Sequence, residues 1–137
     1  MIWKLLIDFG LVVLIWMTQL VVYPSFTYFS ESDLVNWHTR YTTAISLVVM
    51  PLMLLQVITH GFQLTTDFSW MKVIAAVLIG LAWINTFFYA VPLHNKIAAQ
   101  QSVSEAAQGL VSVNWYRTVI WTVVFLISLI ENLKPAN

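Results

Sequence analysis

Eight side chains that could hold a ligand or move a proton lie near the ends of long apolar stretches: Gln19, His38, Tyr41, His94, Asn95, Asn114, Arg117 and Trp121. His38 and Tyr41 are three residues apart, and so are Asn114 and Arg117, so each pair shares one face of a helix. Trp121 continues the second face one turn deeper. Histidine can take a proton near neutral pH, tyrosine and arginine can stabilise a developing oxyanion, and amides can orient a substrate. The spacing therefore predicts a catalytic set of His38, Tyr41, His94 and Arg117. Gln19, Asn95, Asn114 and Trp121 are expected to bind the ligand. A pocket of this kind at a membrane interface suits a lipid-soluble or phenolic small molecule entering sideways.

Metal chemistry is the second expectation. His38 and His94, on different helices at one level, could ligate haem iron axially, or copper or zinc. No His-x-x-x-His, Glu-x-x-His or Cys-x-x-Cys pattern supports it. The carboxylates on that side, Glu31, Asp33 and Glu105, are expected to serve as helix caps. There is no cysteine, which excludes disulfides, thiolate metal sites and cysteine nucleophiles. The third expectation is a non-catalytic bundle that assembles with itself or a partner.

The elements that must position these residues follow from composition. The chain has 137 residues, 60% hydrophobic and 9% charged. Soluble domains carry about 25% charged residues. Formal net charge is zero and no basic tract is present, so nucleic acid is not an expected partner. Four apolar runs, at about 5–23, 38–60, 70–92 and 111–131, are long enough to cross a hydrocarbon layer of about 30 Å. Backbone groups at that depth must be satisfied internally, so each run is helical. The expectation is an all-α integral membrane protein, a single four-transmembrane-helix bundle over 1–137. The first run ends in Tyr23-Pro24 rather than in small residues, so it reads as a retained span, not a cleaved signal.

Thr59–Ser69 reads as a short turn, and Pro24–Arg40 and Pro92–Arg117 as long connectors on the other side. Ser30-Glu31-Ser32-Asp33 and Ser102-Val103-Ser104-Glu105 fit the capping box, so spans two and four should begin outside the membrane. Lys4, Lys72 and Lys134 balance Arg40, Lys96 and Arg117 across the two sides. If Arg40 and Arg117 are functional, the lysines place both termini in the cytoplasm, at a bacterial inner membrane.

Blander roles compete for several positions. Trp37 and Trp115 suit interfacial anchoring, and Arg40 suits snorkelling to headgroups. Gln19 and Asn85 suit interhelical hydrogen bonds. Pro51 should kink span two. His60, Gln63, Asp67 and the terminal lysines read as a solvated rim, with His60 a surface residue.

The chain also repeats itself. Asn36-Trp37-His38-Thr39-Arg40 and Asn114-Trp115-Tyr116-Arg117-Thr118 open the even-numbered spans. Tyr23-Pro24 and Val91-Pro92 close the odd ones. The pattern reads as one helical hairpin used twice.

The segments Val91-Pro92-Leu93-His94-Asn95-Lys96-Ile97 and Asn114-Trp115-Tyr116-Arg117-Thr118 resemble the anthrone-oxygenase-like group of small four-helix membrane proteins. The likeness covers the last half of the chain. It implies four spans and oxygenation of polycyclic phenols without a bound cofactor. Asn95, Asn114 and Arg117 carry over. His94 stands where that group commonly has a small polar residue, and His38 has no counterpart there.

Overall fold

The computed structural model describes residues 2–133 and is an all-α bundle. Four helices are long and apolar enough to cross a membrane: α1 (Ile2–Phe26), α2 (Glu31–Thr66), α3 (Trp70–Ala98) and α4 (Val103–Leu133). The polarity is that of an integral membrane protein. Leu6, Phe9, Leu20, Leu47, Ile58 and Phe88 are exposed, while Lys4, Asp8 and Arg117 are buried.

The connectors expected to be long are short. The chain leaves helix only at 27–30, 67–69 and 99–102 among the described residues. A falling hydropathy marks where an apolar run ends, not where the backbone stops hydrogen bonding. The polar first turns of α2 and α4 stay helical because Leu34, Val103, Ala106, Ala107 and Leu110 pack with Ile97 and Phe26 in one apolar cluster. The expected turn at Thr59–Ser69 shrinks to 67–69, since α2 runs to Thr66. At 36 residues α2 is about 54 Å long, well beyond the hydrocarbon layer.

Ser30 caps α2 as its sequence predicts. It is extended (φ −62°, ψ 155°), and its hydroxyl accepts from the Asp33 N–H at 3.3 Å. Ser102 does not copy it. Its φ of 47° lies outside the extended region, although its carbonyl accepts from the Ala106 N–H at 2.9 Å. The helix continues through Pro51.

The hairpin repeat has a structural counterpart. α1 and α3 each contain a five-residue π turn, Thr18–Val22 and Thr86–Ala90. Each π turn is followed two residues later by a proline, Pro24 or Pro92. A proline ring collides with the carbonyl four residues earlier and offers it no N–H. A wider turn just before the ring relieves that conflict. Its closing bonds run from the Tyr23 N–H to the Thr18 carbonyl and from the Val91 N–H to the Thr86 carbonyl. The hydroxyls of Thr18 and Thr86 each bond the carbonyl four residues back at 2.8 Å. The same device thus sets the last turns of both odd helices, where Tyr23 and His94 project.

One stripe of α2 faces inward. Its buried residues are Leu34, His38, Tyr41, Met53, Gln56 and His60. Ile45 and Val49 continue the three-to-four spacing yet are only half-buried. They line a cavity at the edge of the two core clusters they pack against. Elsewhere packing is tight. At Gly109 of α4 an added Cβ would lie 3.2 Å from the Leu93 side chain of α3, which would have to shift by a few tenths of an ångström to admit it.

Candidate functional site

At the end of the bundle carrying the 27–30 and 99–102 links, all four helices send polar side chains to one level. The imidazoles of His38 and His94 meet directly, Nε2 to Nδ1 at 2.8 Å. The other nitrogen of His94 lies 3.0 Å from the Tyr23 hydroxyl. Arg117 donates to that hydroxyl at 3.3 Å and to the Asn114 side-chain carbonyl at 2.7 Å. Asn114 donates to Gln19 at 3.0 Å, and Gln19 donates to the Val111 carbonyl at 3.2 Å. Each amide therefore has its orientation fixed by the next group. Thr118 also donates to the Gln19 carbonyl at 3.3 Å.

Aromatic packing holds the histidines in place. Phe26 stands edge-on to Tyr41 at 5.2 Å and to His38 at 6.2 Å. Tyr23 meets His94 edge-on at 5.7 Å between centroids. The histidine–tyrosine chain can be polarised in either sense. In one sense Tyr23 donates to His94, His94 donates to His38, and the His38 Nδ1 carries a hydrogen. In the other sense every bond reverses and the Tyr23 hydrogen is left over. The two states hold the same protons on each residue and differ in the tautomer of both histidines and in the direction of the Tyr23 O–H.

A cavity of about 310 Å³ lies beside this network. Its polar end is formed by Tyr23, His38, Tyr41, His94 and Arg117, and Thr86 and Asn95 reach its wall. Leu14, Ile15, Ile45, Val49 and Met50 line the apolar remainder, with Trp121 below. The mouth opens between α2 and α3, where Ser46, Asn95 and Ala98 are exposed. Three buried nitrogens from residues lining this space have no hydrogen-bond partner: His38 Nδ1, Arg117 Nε and Trp121 Nε1. The last two can only donate. Buried donors left unmatched are uncommon in native interiors.

Six of the eight residues expected from the sequence line the cavity: His38, Tyr41, His94, Asn95, Arg117 and Trp121. Gln19 and Asn114 stand behind them and steady Arg117. Asn95 is exposed at the mouth. The residue that sequence reasoning missed is Tyr23, which joins the histidines to the arginine. Its four-residue spacing from Gln19 was the available signal. Thr86, at 3.5 Å from Arg117, was missed too.

The expected metal pair fits poorly as placed. The facing nitrogens of His38 and His94 are 2.8 Å apart, whereas two metal–nitrogen bonds in line span about 4 Å. Among the described residues, no group of three or more His, Cys, Asp or Glu gathers to hold an ion.

The opposite end corrects the expectation of a solvated rim. His60 is not a surface residue: it is 4% exposed and bonds the Asp8 carboxylate at 3.0 Å. Asp8 also accepts from Gln56 at 2.7 Å and from Ser128 at 2.6 Å. Lys4 is buried and pairs with Glu131, and Ser69 donates to the same carboxylate at 3.4 Å. Gln63 is half-buried. Only Asp67 behaves as expected, standing exposed and paired with Lys72. Lys134 lies outside the described residues. No protein-family model, curated protein or solved structure matches the chain.

Proposed function

We propose that this chain, set in a bacterial inner membrane with both termini in the cytoplasm, binds a lipid-soluble small molecule in the cavity beside His38, His94, Tyr23 and Arg117. One observation carries the reading. A cavity within the size range of small-molecule pockets coincides with unpartnered buried nitrogens on three of its lining residues. A ligand bearing oxygen acceptors would supply the missing partners. The side opening between α2 and α3 gives such a molecule a route from the acyl chains.

A phenolic ligand would place its oxygen against the same donors, and the Tyr23–His94–His38 chain would carry its proton. The likeness to anthrone oxygenases extends this to oxidation with dioxygen as co-substrate, read as phenol-dependent oxygen uptake by the purified protein.

The test is mass spectrometry and absorption on gently purified protein, beside an Ile45→Trp variant that fills the cavity. A co-purifying small molecule in the wild type that is absent from the variant is the expected result. Identical extracts from both would remove the reading. A Soret band would favour haem in its place.

A further inference from the structure

The buried guanidinium of Arg117 has no counter-charge. It is 6% exposed, and its partners Tyr23, Asn114 and Thr86 are all neutral. All six acidic residues of the chain are accounted for elsewhere. Asp8 is surrounded by Gln56, His60 and Ser128, Glu131 pairs with Lys4, and Asp67 pairs with Lys72. Glu31, Asp33 and Glu105 stand exposed in the first turns of α2 and α4. An isolated cation in a low-dielectric interior is unfavourable, and an arginine inside a membrane bundle normally finds a partner or a function. Its Nε–H is unused, and so is the Trp121 indole N–H on the same cavity.

From this, and resting on the pocket reading above, we infer that the ligand is a monoanionic amphipath: one carboxylate on a long apolar body. The carboxylate answers Arg117 as counter-ion and accepts from its free N–H, a geometry suited to the planar guanidinium. The apolar body lies along Leu14, Ile15, Ile45, Val49 and Met50. At about 310 Å³ the space holds the head and part of a chain, and the rest leaves through the mouth between α2 and α3.

The test is titration calorimetry on the protein in nanodiscs of uncharged lipid, with three ligands of equal chain length: dodecanoate, dodecanol and dodecylamine. Dodecanoate is expected to bind the wild type at least ten-fold more tightly than dodecanol, and dodecylamine not at all. Arg117→Gln is expected to bring dodecanoate down to the level of dodecanol. The wild-type comparison stands even if that variant fails to fold. Equal binding of acid and alcohol, both lost in Ile45→Trp, would overturn the anionic assignment and leave the pocket intact. Failure of both to bind the wild type, or binding that Ile45→Trp does not weaken, would overturn the pocket reading with it.

Discussion

Each end of the bundle buries an ionisable side chain, Asp8 at one and Arg117 at the other, and the two are treated in opposite ways. Asp8 receives donors from α2 and α4 on both oxygens, and the Lys4–Glu131 pair closes the end beyond it. Arg117 keeps an unused N–H beside a cavity and meets no acid. The closed end has its own unpartnered atoms, the side-chain oxygens of Gln56 and Gln63, but its buried charge is answered by donors, whereas that of Arg117 meets only neutral groups. The difference sets an end whose buried charge is compensated within the bundle apart from the end where a ligand is proposed to bind.

The largest effect should come from breaking the closed end. Asp8→Ala strands Gln56, His60 and Ser128 and should cost about 3 kcal/mol, read by thermal unfolding in detergent. A wild-type melting curve would end the view of this end as a clamp. Next, Arg117→Met should go the other way. Removing a buried cation without a counter-charge is expected to leave stability unchanged or raise it by about 1 kcal/mol, while the preference for carboxylate over alcohol is lost. A destabilisation as large as that of Asp8→Ala would erase the contrast. A smaller change is expected at Tyr23→Phe. It removes one hydroxyl and should cost under about 1 kcal/mol, yet uncouple the histidines from the arginine. A double-mutant cycle with His94→Phe checks this, since independent sites would simply add.

The smallest effect lies outside the helices. A hydrogen bond from Lys72, and then its charge, hold the Asp67 carboxyl below its ordinary value of 3.8. A depressed folded-state value gives stability that is present above pH 3.8 and lost as pH falls further. Asp67 is fully exposed, so the loss should be slight. Melting curves of the wild type and Asp67→Asn should converge at low pH, and an unchanged gap there would exclude this pair as the cause.

Hydropathy made the four helices legible, because an apolar run of about 20 residues allows little else. Depth made the open end legible, since His38, His94, Asn114 and Arg117 all fall near one level. Two things were not legible for physical reasons. The capping spacing marked where α2 and α4 begin, but the far ends of α2 and α3 depend on backbone hydrogen bonds that continue to Thr66 and Ala98, past the fall in hydropathy. The closed end depends on partners 48, 52 and 120 residues away from Asp8, with no local spacing to announce them. The four-residue interval from Gln56 to His60 was a signal, but it marks only a shared face.

The mouth between α2 and α3 has a quantitative consequence. On the proposed reading, in which the ligand enters from the acyl chains, the site would respond to the mole fraction of ligand in the bilayer, not to its aqueous concentration. Mass action then makes apparent affinity a joint property of the site and of the lipid phase that stores the ligand. Doubling the lipid at fixed total ligand would nearly halve occupancy of an unsaturated site without touching a single contact. Affinities measured to test that proposal would be comparable only at a stated lipid-to-protein ratio.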